Sequence, residues 1–110
     1  MKRGDLIIVS LPGDFGKPRP AVVVQSDELI GLETVIVCPL TTDVDARLAI
    51  RPIFVPSNGN GLNQTSQAMV EKIMTFRLKR TAEPIGKLDA DDLVRLDRIL
   101  AFVLGLDAGR

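Results

Sequence analysis

Arg19 lies between Pro18 and Pro20 in the stretch Lys17-Pro18-Arg19-Pro20-Ala21-Val22-Val23-Val24. Each proline fixes its own φ, and Pro20 also biases Arg19 toward an extended backbone. An arginine held this way has a defined exit vector, and its planar guanidinium fork suits a phosphate. Thr41 and Thr42 follow the apolar run Val35-Ile36-Val37-Cys38-Pro39-Leu40, and Glu71 stands near the end of another run, Thr65 to Ile73. All of these lie at the ends of strand-like segments. Each alone also fits a plain structural role: Arg19 a surface ion pair, a threonine after Pro-Leu a turn residue, Glu71 a solvated strand residue. The chain has no histidine and one cysteine, Cys38. The usual general base and the usual metal ligand are therefore missing, and an intrachain disulfide is excluded. Gly13-Asp14-Phe15-Gly16 and Asn58-Gly59-Asn60-Gly61 read as turns rather than as phosphate-cradling loops.

The elements that must position these side chains follow from residue pattern. Asp5 to Leu11 reads as a first strand, Pro12 to Gly16 as a turn, and Pro20 to Gln25 as a second strand of β-branched type. Ser26 to Gly31 is a polar loop. Glu33 to Leu40 shows little alternation, as in a strand buried on both faces. Thr41 to Arg47 is a polar loop. Ala46 to Val55 has the spacing of a half-buried strand, with Pro52 placing it at an edge or bulge. Pro56 to Gly61 is a turn, and Thr65 to Ile73 reads as a fifth strand. Thr75 to Lys87 reads as irregular with one short strand. The last element is a helix. Asp89 is its N-cap, Asp91 and Asp92 suit its first turn, and Leu88 with Leu93 matches a hydrophobic staple. Leu93, Leu96, Leu100 and Val103 follow helical spacing, Asp91 is set to pair with Arg95, and Gly105 ends the helix. Ile99 to Leu104 is apolar all round, which points to a partner chain on a second face. The expected architecture is mainly β, five or six short strands and a C-terminal helix, closed as a small barrel or a strongly twisted sheet.

The 110 residues make one domain, 1–110, with 45% apolar residues, four Phe and no Trp or Tyr. The core is then aliphatic, and aromatic stacking platforms for bases are not expected. Fourteen basic residues balance fourteen acidic ones, so any nucleic-acid site must be local rather than a general attraction. No signal peptide, transmembrane helix or membrane role is expected, and the lone cysteine is compatible with a cytoplasmic home.

Four stretches, in order and at these spacings, carry a family resemblance: Lys2-Arg3-Gly4-Asp5-Leu6; Arg19-Pro20-Ala21-Val22-Val23-Val24; Val35 to Leu40 with Thr41-Thr42; and Ile85-Gly86-Lys87-Leu88-Asp89 with the helix and Leu104-Gly105-Leu106. Together they resemble the MazF/PemK family of toxin endoribonucleases from type II toxin–antitoxin pairs. The resemblance implies an SH3-like barrel with a C-terminal helix (the CcdB/MazF-like toxin fold), a homodimer, and a cognate antitoxin that is small, acidic and partly disordered. It implies cleavage of single-stranded RNA, usually mRNA, at a short sequence, with no metal or other cofactor. Arg19 and Thr41 take the positions of the family's catalytic pair. Glu71 takes that of an acidic residue contributing in some members, and is the candidate base. Lys17, Thr42, Arg47, Lys72 and Arg77 are candidate RNA contacts, with Lys79 and Arg80 further along the same phosphate track. The chemistry suits these residues. A neighbouring 2′-OH serves as internal nucleophile, so the protein must align the phosphate and stabilise its charge. The first loop, Pro12 to Pro18, is shorter than in many members, and Met69 replaces a basic residue of some relatives. Two alternatives stand beside this reading. One is a non-enzymatic, CcdB-like toxin that binds DNA gyrase; those depend on a C-terminal tryptophan, which this chain lacks. The other is a family member that binds without cutting.

Overall fold

The computed structural model describes residues 1–11, 13, 17–78 and 83–107. Among them lie strands β1 (Asp5–Ser10), β2 (Pro18–Val23), β3 (Thr34–Thr41), β4 (Ile53–Phe54), β5 (Ser66–Ala68), β6 (Met74–Arg77) and β7 (Gly86–Lys87), then helix α1 (Ala90–Val103). All pairings are antiparallel, in the order β4-β5-β3-β2-β1-β7, with β6 on β3 as well. β3 is the spine. Its N-terminal half pairs with β6, from Thr34↔Arg77 to Val37↔Met74, and its last residues pair with β5 through Leu40↔Ala68 and Thr41↔Gln67. The result is a curled half-barrel capped by one helix.

Side chains alternate across a strand, and the curled sheet buries both sets. Leu6, Val22, Leu40, Phe54 and Val70 form one core with Leu96 and Leu100 of α1. Ile7, Val9, Ala21, Val23, Val35 and Val37 form a second core on the other face. The double burial expected of the third strand is therefore present. Fully burying a side chain such as Phe54 contributes roughly 3 kcal/mol.

β2 begins at Pro18, two residues before its expected start at Pro20, and ends at Val23 rather than Gln25. Pairing with β1 runs the whole length, Ser10↔Pro18 to Leu6↔Val22, but pairing with β3 starts only at Ala21↔Pro39. Val24 N–H donates to Ile36 of β3, so the even-numbered amides of β2 face β3. Pro18 and Pro20 share that parity. Their missing N–H groups fall where β2 has already parted from β3, and no ladder bond is lost.

Two expected strands are shorter than their patterns suggested. Ala46 to Val55 contracts to Ile53–Phe54. Leu48 N–H bonds to Asp45 and Arg51 N–H to Leu48, so turns occupy the segment before buried Pro52. Pro52 does precede an edge strand, because β4 ends the sheet. Thr65 to Ile73 contracts to Ser66–Ala68, followed by a 3-10 turn, Val70–Lys72. There Met69 N–H bonds to the Pro39 carbonyl and Lys72 N–H to the Met69 carbonyl, both at 2.9 Å. Glu71 is thus on the turn and not on a strand. Within Thr75 to Lys87 the chain forms most of β6 and all of β7. The expected turn at Pro12 to Gly16, Gly13 apart, and the cations Lys79 and Arg80 lie outside the described residues.

The helix matches its sequence closely. Asp89 accepts from Asp92 N–H at 2.8 Å, and Leu88 is buried in the core against which Leu93 packs. Its end carries both bonds of a Schellman motif, Leu106 N–H to Ala101 and Gly105 N–H to Phe102. One pair differs. Arg95 bonds Asp92 at 3.0 Å and the Ile53 carbonyl at 2.8 Å, rather than Asp91. From there it lies over the Phe54 ring, 5.3 Å from its centre, a cation–π position. Arg3 ties the N-terminus to α1, gripping Asp97 at 2.7 and 3.0 Å while its Nε donates to the Val24 carbonyl.

The curl is nearly closed by a contact between the turn after β4 and β7. Lys87 N–H donates to the Gly59 carbonyl at 2.9 Å. Backbone meets backbone here with no room for a side chain. A Cβ on Gly86 would stand 2.4 Å from the Asn60 carbonyl carbon, and one on Gly61, whose φ is +69°, only 2.2 Å from the Ile85 carbonyl oxygen.

Candidate active site

The parting of β2 from β3 opens a cleft of about 760 Å³ at the ends of both strands. Continuing the β2–β3 register by two residues sets Arg19 opposite Thr41. Arg19 spans the gap, its Nη1 donating to the Leu40 carbonyl at 3.4 Å, and its side chain is partly buried. The guanidinium is therefore held beside the peptide that leads into Thr41. The Thr41 hydroxyl oxygen accepts from Asp43 N–H at 3.1 Å. The hydroxyl keeps its own proton to donate. Lys17 and Thr42, both exposed, line the same cleft. Two cationic side chains and two hydroxyls thus converge on one concave surface, an arrangement suited to a phosphodiester. Apolar groups, Ile8, Pro20 and Ile85 among them, supply the remaining walls.

The other expected site residues lie elsewhere. Glu71 does not line the cleft. It is gripped by Arg51, whose Nε stands 3.0 and 3.1 Å from the two carboxylate oxygens and whose Nη2 also contacts Oε2. The hydrogen bond from Arg51 holds the Glu71 carboxyl below the usual glutamate range. A carboxylate stabilised this way is a weak proton acceptor. The pair lies close to Cys38, whose thiol is pushed up to about 12, first by burial and then by the Glu71 charge. Arg47 folds back on Asp45, with Nε and Nη2 at 3.0 and 2.9 Å from its oxygens, and holds that carboxyl below its usual range. Lys72 is exposed on the 3-10 turn. Arg77 pairs with Thr34 at the far end of β3 from Thr41, roughly 23 Å away at ~3.3 Å per residue, and its head approaches Glu33 at 3.5 Å.

The opposite wall of the cleft is polar and carries no sequence motif. Asn63 and Gln64, after the turn that follows β4, face the cleft and bring amide donors and acceptors to it. The polar run Asn63-Gln64-Thr65-Ser66 was the available signal. Its nearness to Arg19 depends on the curl of the sheet, which no local pattern shows.

A family model described as PemK-like, MazF-like toxin of type II toxin-antitoxin system matches residues 2–104. “Probable endoribonuclease MazF” of Mycolicibacterium smegmatis is 36% identical over 108 residues, covering 96% of this chain and 98% of the relative. Among solved structures, the Mycobacterium tuberculosis toxin MazF-mt6 superposes with a TM-score of 0.77 at 27% identity, covering 94% of this chain and 98% of that one. A MazE–MazF crystal structure from Deinococcus radiodurans shares the fold, with a TM-score of 0.74 at 21% identity over 96% of this chain and 95% of that one.

Proposed function

The chain belongs to the PemK-like, MazF-like toxins of type II toxin–antitoxin systems, and from that premise we propose that it is an endoribonuclease that cuts single-stranded mRNA at a short sequence in the Arg19–Thr41 cleft. The observation that carries this reading is the position of the Arg19 guanidinium, which reaches the Leu40 carbonyl beside a threonine whose hydroxyl proton is available.

In the proposed reaction the 2′-oxygen of one nucleotide attacks the adjacent phosphorus. A P–O2′ bond forms, the P–O5′ bond breaks, the 2′-OH loses its proton and the departing 5′-oxygen gains one. The products are a 2′,3′-cyclic phosphate and a 5′-hydroxyl. Negative charge grows on the non-bridging oxygens as attack proceeds. Arg19 meets that charge with its fork, and Thr41 adds a hydroxyl donor. Lys17 and Thr42 hold the flanking backbone. Glu71, bound by Arg51 outside the cleft lining, acts on the stability of the 3-10 turn and the segment ending at Arg51.

We propose two protein partners with the same reading: a cognate antitoxin and a second copy of this chain. The exposed Phe102 and Leu104 on the apolar end of α1 support the dimer. The test is incubation of the purified, antitoxin-free protein with a long single-stranded RNA in excess EDTA. Discrete fragments ending in 2′,3′-cyclic phosphate are expected. Intact RNA from folded protein would overturn the reading.

A further inference from the structure

Gln67 has no part in the site derived above, yet it is among the most completely buried side chains of the molecule, with 0% exposure. It stands on β5 directly opposite Thr41 in the antiparallel register. Its amide reaches into the segment 42–51, which joins the end of β3 to β4. Oε1 accepts from Asp45 N–H at 2.8 Å. Nε2 donates to the Asp45 carbonyl at 2.8 Å and to the Arg51 carbonyl at 2.9 Å. Both amide hydrogens are used, and the partners fix which atom is nitrogen: one backbone donor faces Oε1 and two backbone acceptors face Nε2.

The segment it holds makes no strand pairing. Its own backbone bonds are two short turns, Leu48 N–H to Asp45 and Arg51 N–H to Leu48. One side chain therefore fixes the segment at two points, four residues past Thr41 and again just before Pro52. Between Thr41 and the first of them lie Thr42, Asp43 and Val44, the first two in the cleft wall. Asp43 N–H is the group that occupies the Thr41 hydroxyl oxygen, which leaves that hydroxyl its proton to donate.

We propose that Gln67 is a positioning residue of the cleavage site, clamping the segment 42–51 so that Thr41, Thr42 and Asp43 keep the geometry that the phosphate requires. This rests on the ribonuclease reading of the cleft. The clamp acts through Thr41 and Asp43 and touches no substrate. Its loss should appear in the chemical step more than in RNA binding, since a small misplacement of an aligned group can cost up to about a hundredfold in rate.

The experiment compares wild type, Gln67→Met and Gln67→Glu under conditions where circular dichroism shows each protein folded. In Gln67→Met, kcat should fall at least about tenfold while KM for RNA stays within about threefold. In Gln67→Glu the buried carboxylate faces two carbonyls it cannot donate to. Its kcat relative to wild type should be low near pH ~8 and rise toward pH ~5.5, as the buried group takes a proton and regains a donor. In the wild type, the Asp45 amide hydrogen should exchange about a hundredfold more slowly than those of Val44 and Ala46, a measurement that needs no variant to fold. Folded Gln67→Met with wild-type kcat, a loss confined to KM, or an Asp45 amide exchanging as fast as its neighbours would overturn the proposal. A wild type that cuts no RNA would instead overturn the ribonuclease reading and the catalytic half of this proposal with it, leaving the exchange rates to judge the clamp itself.

Discussion

Glu71 and Arg19 show how placement decides what a charged side chain can do. Both stood at predicted strand ends. Arg19 lines the cleft and reaches the Leu40 carbonyl, whereas Glu71 is outside that lining, in a two-oxygen grip by Arg51. The sign of the Glu71 effect follows from its lowered pKa. Its stabilising contribution is present above the unfolded value, near ~4.3, and is lost as pH falls through the folded value. With the Glu71 side chain 32% exposed, the contribution is at most about 1 kcal/mol. Glu71→Gln should therefore cost up to about 1 kcal/mol at pH 7. That deficit should shrink below pH ~4, and cleavage near neutral pH should stay within about threefold of wild type. Urea titrations at both pH values, with cleavage rates beside them, check this. A large loss of cleavage with intact stability would return Glu71 to the chemistry as a base.

The elements divide by how local their causes are. The helix could be read residue by residue because its cap, staple, spacing and terminal glycine all lie within the stretch that folds. The third strand was equally plain from its unbroken apolar run. The fifth was not. Ala68, Val70 and Lys72 alternate with Gln67, Met69 and Glu71 as a strand would, but Met69 N–H bonds the distant Pro39 carbonyl and the chain turns there. Gln67 was equally hidden, since an amide in an alternating run reads as solvated until its partners at Asp45 and Arg51 are known. Pro18 and Pro20 sit within β2 for a reason that also required the fold: the side of the strand they disable has no partner. The closure at Gly86 belongs to this scale too. Gly86→Ala forces a methyl group into the Gly59–Asn60 backbone and should lower stability by roughly 1–3 kcal/mol. Denaturant unfolding measures this, and a wild-type midpoint would show that the contact between β7 and the turn is loose.

At the scale of the whole molecule, zero formal charge means that the proposed RNA binding must rest on a local site, such as the cleft that holds Lys17 and Arg19. The apolar residues outside the cores also gain meaning here. Phe102 is 62% exposed and Leu106 64%, on and just beyond the last turn of α1, a face that a second copy would cover. If the proposed dimer uses this face, Phe102→Asp should give a 12.0 kDa monomer in sedimentation with little change in the fold. A wild type that is monomeric at working concentration, or a variant that stays dimeric, would remove this face from the interface. The proposed phosphodiester-cleaving site around Arg19 and Thr41 rests on the parting of β2 from β3. It is tested most directly by the cleavage rate of one RNA, in excess EDTA, by wild type, Arg19→Ala and Thr41→Ala. Wild type should give discrete fragments, and each variant should lose roughly a hundredfold in rate, as expected when one donor to a developing charge is removed. Folded variants that cut at the wild-type rate would contradict it.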